Sequence, residues 1–332
     1  MLNRAFTLIE LLVCIAVIGL LLSLLLPALA SAREAGRAVA CQVHERGVVL
    51  AMAAYETDNK GWLVGPNTSG SDLQNGRPYV AGNATPMQDW DFVSPLLGDS
   101  LNLPIDPLLK FQQICQTSFR CPSNTVKYTA QYSGPQLPMV AAGQMPYTLS
   151  YLTPAYFQMY HSSITSRDGR TVESQPAGEP VEITRGYLPR IDRVGVSPSK
   201  KVFAFEGARY FDPGINGFDF STGTNGSGLI GTPQGNFLSR GNAFMGSGEN
   251  YVREGPGNKT ASAILKKISL RHSQKMNAGM FDGHVEALDN TDSADPSLYA
   301  PSGSIMRTPT QTWYYYVGPP TSPLRTLNAV LP

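Results

Sequence analysis

The sequence predicts an α+β protein: a long N-terminal transmembrane α-helix packed on an antiparallel β-rich, loop-rich globular domain. Three observations predict it. Residues 11–32 carry no charged side chain, and a membrane helix needs about 20 such positions. The stretch that follows keeps a helical spacing of apolar residues as far as Thr57. Beyond that point the chain becomes rich in glycine and proline, with short aromatic and β-branched runs between them.

The helix comes first. Between Phe6 and Ala32 the one charge is Glu10. A helix over this range is about 40 Å long, enough to cross a hydrocarbon core of about 30 Å with some tilt. Buried core helices seldom stay apolar on every face for so long. Ala30-Ser31-Ala32 fits a signal-peptide cleavage site. However, the apolar run is longer than the roughly 7–15 residues of a secretory signal, and its basic flank is thin. Arg4 precedes the span and Arg33 and Arg37 follow it, so charge counting orients it only weakly. A carboxylate in hydrocarbon costs on the order of 3 kcal/mol at the helix centre, less near an end, and normally has a partner. A cut before Phe6 would create one, because the new α-amino group is a cation in the apolar zone. Pro27 removes one helix hydrogen bond and is expected to kink the chain. Further on, Val39, Val43, Leu50 and Ala54 share one broad face, and this half is expected to pack on the globular body. Cys14 and Cys41 read as small buried apolar groups. Asp58-Asn59-Lys60-Gly61 signals the end of the helix.

Composition narrows the function classes. The 332 residues have a formal net charge of +1, which gives no electrostatic case for nucleic acid as a partner. Charged residues are 15 %, against about 25 % in ordinary soluble domains. Four cysteines are too few for a disulfide scaffold.

The stretch Ala5-Phe6-Thr7-Leu8-Ile9-Glu10-Leu11-Leu12-Val13 closely resembles the N-terminal signature of type IV pilins and type II secretion pseudopilins. The resemblance implies that a membrane prepilin peptidase cuts between Ala5 and Phe6 and methylates the new amino group of Phe6. It implies that Glu10 pairs with the N-terminus of a neighbouring subunit during assembly, and that Pro27 loosens the helix. Like or related pilin subunits, the inner-membrane assembly machinery and the membrane itself are the implied partners. The implied division is a leader over 1–5, a helix over 6–59 with 6–32 in the inner membrane, and an exported body over 60–332. The N-terminus would face the cytoplasm and the body the periplasm or cell exterior. One departure is Ala5, where the family usually has glycine.

Within the body, 201–211 and 311–318 read as strands, and 147–160 as one or two more, broken at Pro154. Residues 212–257 hold 12 glycines and read as a long irregular insertion. Its "GTNGSG" lacks the Gly-Lys-Ser/Thr of a phosphate loop. Cys115 and Cys121 are six apart, a spacing that allows a disulfide if the chain turns between them, and an oxidising compartment would favour it. Asp282-Gly283 reads as a two-residue type I′ hairpin turn, pairing Met280 with Val285 and Ala278 with Ala287. His272, nine residues, then Asp282-Gly283 resembles the H-x9-D-G motif of a large group of bacterial prepilin-like proteins. The "FRCPSN" run at 119–124 and Ser150-Tyr151 resemble further parts of that group. The resemblance attaches no chemistry to the motif.

An enzyme is not expected. The four histidines are His44, His161, His272 and His284, and neither G-x-S-x-G nor HExxH occurs. No cofactor is called for. His272, Asp282 and His284 could gather at one hairpin as a metal site, but the reading preferred is that His272 returns to the hairpin and holds the loop Ser273–Met276 by hydrogen bonds. The function expected is a structural subunit; the alternative is a membrane-anchored binding protein that uses its loop-rich domain as a recognition surface.

Overall fold

The computed structural model describes residues 7–116, 119–127, 130–131, 142, 144, 147–175, 181–207, 211–212, 217–220, 238–239, 270–289, 292–307 and 328–332. The expected strand at 311–318 and most of the glycine-rich stretch 212–257 lie outside these residues, as do Ala5 and Phe6.

Helix α1 spans Leu8–Asp58, 51 residues or about 77 Å. Its start is set by a capping box: the Thr7 hydroxyl accepts from the Glu10 backbone N–H at 3.3 Å, and Glu10 Oε2 accepts from the Thr7 N–H at 2.8 Å. Its end is a Schellman motif. Lys60 takes a left-handed φ of 55° and the Gly61 N–H returns to the Glu56 carbonyl at 2.6 Å. The helix continues through Pro27. Among the described residues it is the helix long and apolar enough to cross a membrane, and its apolar first half is wholly exposed.

The second half packs on the body, but through a different face from the one expected. Cys41, Glu45, Val48, Val49 and Met52 are buried, whereas Val39, Val43 and Leu50 are 54–62 % exposed. The misreading has a physical cause. The buried face contains a carboxylate, while the stripe with the cleaner apolar pattern points away from the body.

The central sheet has five strands: β1 (Tyr151–Pro154), β2 (Val202–Glu206), β3 (Leu238–Ser239), β4 (Met276–Met280) and β5 (Val285–Leu288). Their order is β5-β4-β2-β1-β3, antiparallel except for the β1/β3 pair. After Pro154 the chain turns through a 3-10 helix, Ala155–Phe157, so the expected break falls at that proline. Strand β4 is buried throughout, unlike an ordinary half-exposed strand, because α1 covers one of its faces. On that face Gln42 Nε2 donates to Asn277 Oδ1 at 3.1 Å, and a Cβ on Gly279 would sit 2.4 Å from Val49 Cγ2. Helix and strand therefore approach as closely as glycine permits. The opposite face carries Met276, Ala278 and Met280 into a core where Phe203, Phe157 and Phe281 stack at 4.9–5.4 Å.

The hairpin after β4 departs from expectation by one residue. Gly279 pairs with Val285 and Ala278 with Glu286, and the Met280 N–H donates to the His284 carbonyl. The loop thus has three residues, Phe281 to Gly283, with Gly283 alone at positive φ (98°). This is the type I turn with a left-handed glycine that closes three-residue hairpins. The true I′ conformation occurs upstream: Ser273 (φ 51°) and Gln274 (φ 66°) turn the chain, and His272 and Lys275 exchange backbone hydrogen bonds across them. The nine residues between His272 and Asp282 are therefore the remainder of one tight turn, one strand and one loop residue.

Candidate functional site

Two places gather the residues singled out in the sequence. The first is the start of α1. Glu10 Oε2 accepts from Thr7 Oγ1 at 2.7 Å as well as from the Thr7 N–H, so the charge in the apolar span has a local use as the helix cap. Glu10 is nevertheless exposed on the helix surface, as is Cys14 one turn on, which corrects the expectation that Cys14 is buried: nothing in the body reaches this half of the helix. Exposed, it can be reached by a neighbouring chain.

The second lies where α1 enters the body. Cys121 is bonded to Cys41, with a Cα–Cα distance of 5.2 Å, while Cys115 is a free thiol buried on the helix Pro107–Gln116. The expected Cys115–Cys121 bridge is thus replaced. Cys115 faces the core with Phe111 and Ile114, and Cys121 turns instead towards α1. Burial pushes the Cys115 thiol up, which makes it unreactive.

His272 sits beside this disulfide. Its Nδ1 is 2.9 Å from Glu34 Oε1 on α1, and its Nε2 is 2.8 Å from Glu206 Oε1 at the end of β2. Cys121 Sγ lies 3.4 Å from His272 Nε2 and 3.5 Å from Glu206 Oε1. Glu206 Oε2 accepts from the Asn277 N–H at 3.0 Å, and Ser123 Oγ donates to Glu34 at 3.1 Å. Neighbouring Arg271 donates to the Ser150 and Gly207 carbonyls. Ser150 Oγ in turn accepts from the Cys121 N–H and from Asn124 Nδ2, both at 3.0 Å. The "FRCPSN" run, the Ser-Tyr pair and the motif histidine thus meet at one spot against α1.

The described residues do not bring His272, Asp282 and His284 together. Strand β4 separates them, about 17 Å of chain. At the far end His284 Nδ1 bonds Asp282 Oδ1 at 2.6 Å, both exposed, as part of the loop itself. The expected metal grouping is therefore corrected: the ligand atoms that converge belong to Cys41, Cys121, Glu206 and His272, within 4.8 Å of one another. Nor does His272 reach the hairpin, although its backbone does close the turn 272–275. His44 faces the Tyr151 hydroxyl at 3.5 Å, and His161 lies 3.2 Å from Glu182. Glu34, Glu45 and Glu206 were not singled out by sequence, and Cys41, expected to be a small buried apolar group, is buried but bonded to Cys121. Their one signal is that three of them fall on α1 at spacings of seven and four, which is a single helix face.

The electrostatics of this junction are unusual. Burial opposes a charged His272, yet hydrogen bonds to and charge on Glu206 and Glu34 outweigh it and raise its pKa. Glu45, one turn after Cys41, is fully buried, and among the described residues neither of its carboxyl oxygens has a hydrogen-bond partner. Burial first, and Glu206 second, hold its pKa well above the ordinary carboxylate value; Arg271 opposes them. A folded-state pKa raised in this way stabilises the fold at low pH, and that contribution is lost as pH rises above about 4.5 towards the folded value. His272 acts in the same sense, from its ordinary value upward. Replacing Glu45 with methionine should raise stability at pH 8 by about 1–3 kcal/mol and flatten its fall between pH 5 and pH 8. Denaturant titrations of both chains in detergent at the two pH values measure this; a variant no more stable at pH 8 would reject it.

Comparison with known proteins bears on the first place. Residues 1–26 match the family model described as the prokaryotic N-terminal methylation motif. The match supports a type IV pilin- or pseudopilin-like protein, processed by a prepilin peptidase and associating with pilin-like subunits. With the apolar helix it fits membrane anchoring. No curated protein and no solved structure matches the chain.

Proposed function

We propose that this chain is a structural subunit that assembles through α1 into a type IV pilus or a type II secretion pseudopilus. Prepilin peptidase would cut between Ala5 and Phe6 and methylate Phe6. Residues 6–32 would anchor the chain in the inner membrane before assembly, with the body on the far side. The observation that carries this reading is the methylation motif at the head of a helix whose exposed apolar surface does not stop at the membrane. Val39, Val43 and Leu50 extend that surface along the flank of the body, turned away from its core. Such a stripe suits packing against the helices of neighbouring subunits, where Pro27 would let α1 bend to fit.

The test is the intact mass and N-terminal sequence of the chain recovered from membranes. The expected result is a mature chain beginning at Phe6 and heavier by one methyl group. A chain beginning at Arg33 would show ordinary signal cleavage and overturn the proposal.

One observation favours a second reading, an anchored binding protein. A groove of about 650 Å³ opens beside the end of α1, lined by Tyr55, Trp62, Tyr160, Arg167 and Arg170 among others. The Arg167 guanidinium lies 5.1 Å from the Trp62 ring and 5.9 Å from that of Tyr160. Aromatic faces beside fixed cations are a recognition surface. Both readings use the same anchor.

A further inference from the structure

We propose that the reduced form of the chain binds one zinc ion between Cys41, Cys121, His272 and Glu206, so that the junction of α1 with the body is tied by a metal when it is not tied by a disulfide. All four side chains are at least 95 % buried. They come from four separate places in the fold: α1, the "FRCPSN" loop, the turn before β4 and the end of β2. Two thiolates, an imidazole and a carboxylate are a complete ligand set for a closed tetrahedral site.

The spacing fits. With metal–sulfur bonds of about 2.3 Å and metal–nitrogen or –oxygen bonds of about 2.0–2.1 Å, the edges of a tetrahedral site run from about 3.3 to 3.8 Å. Cys121 Sγ already stands 3.4 Å from His272 Nε2 and 3.5 Å from Glu206 Oε1. The His272–Glu206 contact of 2.8 Å is a hydrogen bond, and it must open by about half an ångström when the metal replaces the proton. The two sulfurs must part by the length that separates a bond from a tetrahedral edge. The movement falls to the Cys41 side chain, so that Cys121 keeps its distances to His272 and Glu206.

The surroundings are those of a metal site. Glu34 bonds His272 Nδ1, which fixes the ring and leaves Nε2 facing the sulfurs, the carboxylate–histidine arrangement that orients metal ligands. The Asn277 N–H holds the second oxygen of Glu206. Two thiolates and one carboxylate around a divalent ion leave one negative charge, and the buried Arg271 cation interacts with Glu206 from beside it. Glu34 is 30 % exposed, so the outer side of the cluster reaches solvent. Binding needs no electron transfer: the chain is synthesised with free thiols, and the ion displaces one proton from each sulfur and any proton on Nε2.

The experiment uses the full chain in detergent, reduced with a phosphine, freed of reductant without air, and titrated with cobalt(II) as a spectroscopic substitute for zinc. The expected result is one cobalt per chain, with the visible bands of a tetrahedral site and thiolate charge-transfer absorption, all removed by adding zinc. The oxidised chain, which still has Cys14 and Cys115 free, should give none of these bands. Glu34→Ala, a partly exposed change that leaves all four ligands, should weaken binding about 10–100-fold. His272→Gln should abolish the tetrahedral spectrum. Absence of stoichiometric binding to the reduced chain, equal binding to the oxidised chain, or an unaltered spectrum in His272→Gln would each overturn the proposal.

Discussion

Replacing Cys41 and Cys121 together by alanine should lower the unfolding free energy by about 3–5 kcal/mol in metal-free, oxidising buffer. The size follows from the loop that the bond closes. The cysteines are 80 residues apart, and by the loop-entropy model closure of so long a loop is worth about 4–5 kcal/mol, whereas a bridge between Cys115 and Cys121 would give no more than about 2–3 kcal/mol. The bond also joins α1 to the body at the first residue of the helix that is fully buried. Its loss should therefore loosen the helix as well as the fold. Denaturant titration gives the energy, and a non-reduced peptide map should show Cys41 linked to Cys121, with Cys115 alkylated only after unfolding. A fall below about 1 kcal/mol, or a map linking Cys115 to Cys121, would reject the account.

Replacing Glu10 should abolish assembly while leaving insertion intact. Glu10→Ala removes a charge from the apolar span, so membrane insertion should improve or stay the same. It also removes the glutamate half of the capping box, leaving the Thr7 N–H without its carboxylate partner. Glu10→Gln separates the two effects, because glutamine at the third helical position can still complete the box but carries no charge. If the charge pairs with the amino group of a neighbour, both variants should be missing from sheared filaments. If the cap is what matters, Glu10→Gln should assemble. Where no filament can be isolated, cross-linking through the exposed Cys14 measures contact between membrane subunits. Assembly of Glu10→Gln at wild-type levels would refute the pairing.

How much of this could be read beforehand differs from element to element. The helix was legible because its signals are local: the uncharged run 11–32 and the Asp58-Asn59-Lys60-Gly61 stop, where Lys60 and Gly61 take left-handed positions. The cap that Thr7 and Glu10 form at its start was not read from the sequence, where Glu10 figured only as a charge in need of a partner. The face that α1 buries was not legible. A stripe of valine and leucine looks like a core stripe, and nothing in sequence says that Glu45 lies inside, where burial and Glu206 favour its neutral form and only Arg271 opposes them. The hairpin register failed by one because Asp-Gly serves both two-residue and three-residue turns, and the choice depends on how Met280 and His284 pair. The disulfide failed because sequence proximity does not decide pairing: Cys115 stays on the buried face of the helix Pro107–Gln116, while the sulfur of Cys121 meets that of Cys41 on α1, 80 residues away. The junction around His272 was half legible. Its loop, its serine and its histidine could be named, but the helix side chains that complete it could not.

The position of the Cys41–Cys121 bond also decides how the molecule would bear load. A pull on the N-terminal end of α1 acts along the helix axis. Without the bond, the stretch 42–58 could peel from the sheet and unwind, lengthening each chain by about 35 Å as the rise per residue goes from 1.5 Å to about 3.5 Å. With it, residues 41 to 121 form a covalently closed ring, and the pull passes at Cys41 straight into the body. The extensible part is then confined to the segment ahead of Cys41, so a strand of such molecules would behave as stiff beads on short springs, and reduction in the absence of metal would turn the same strand soft.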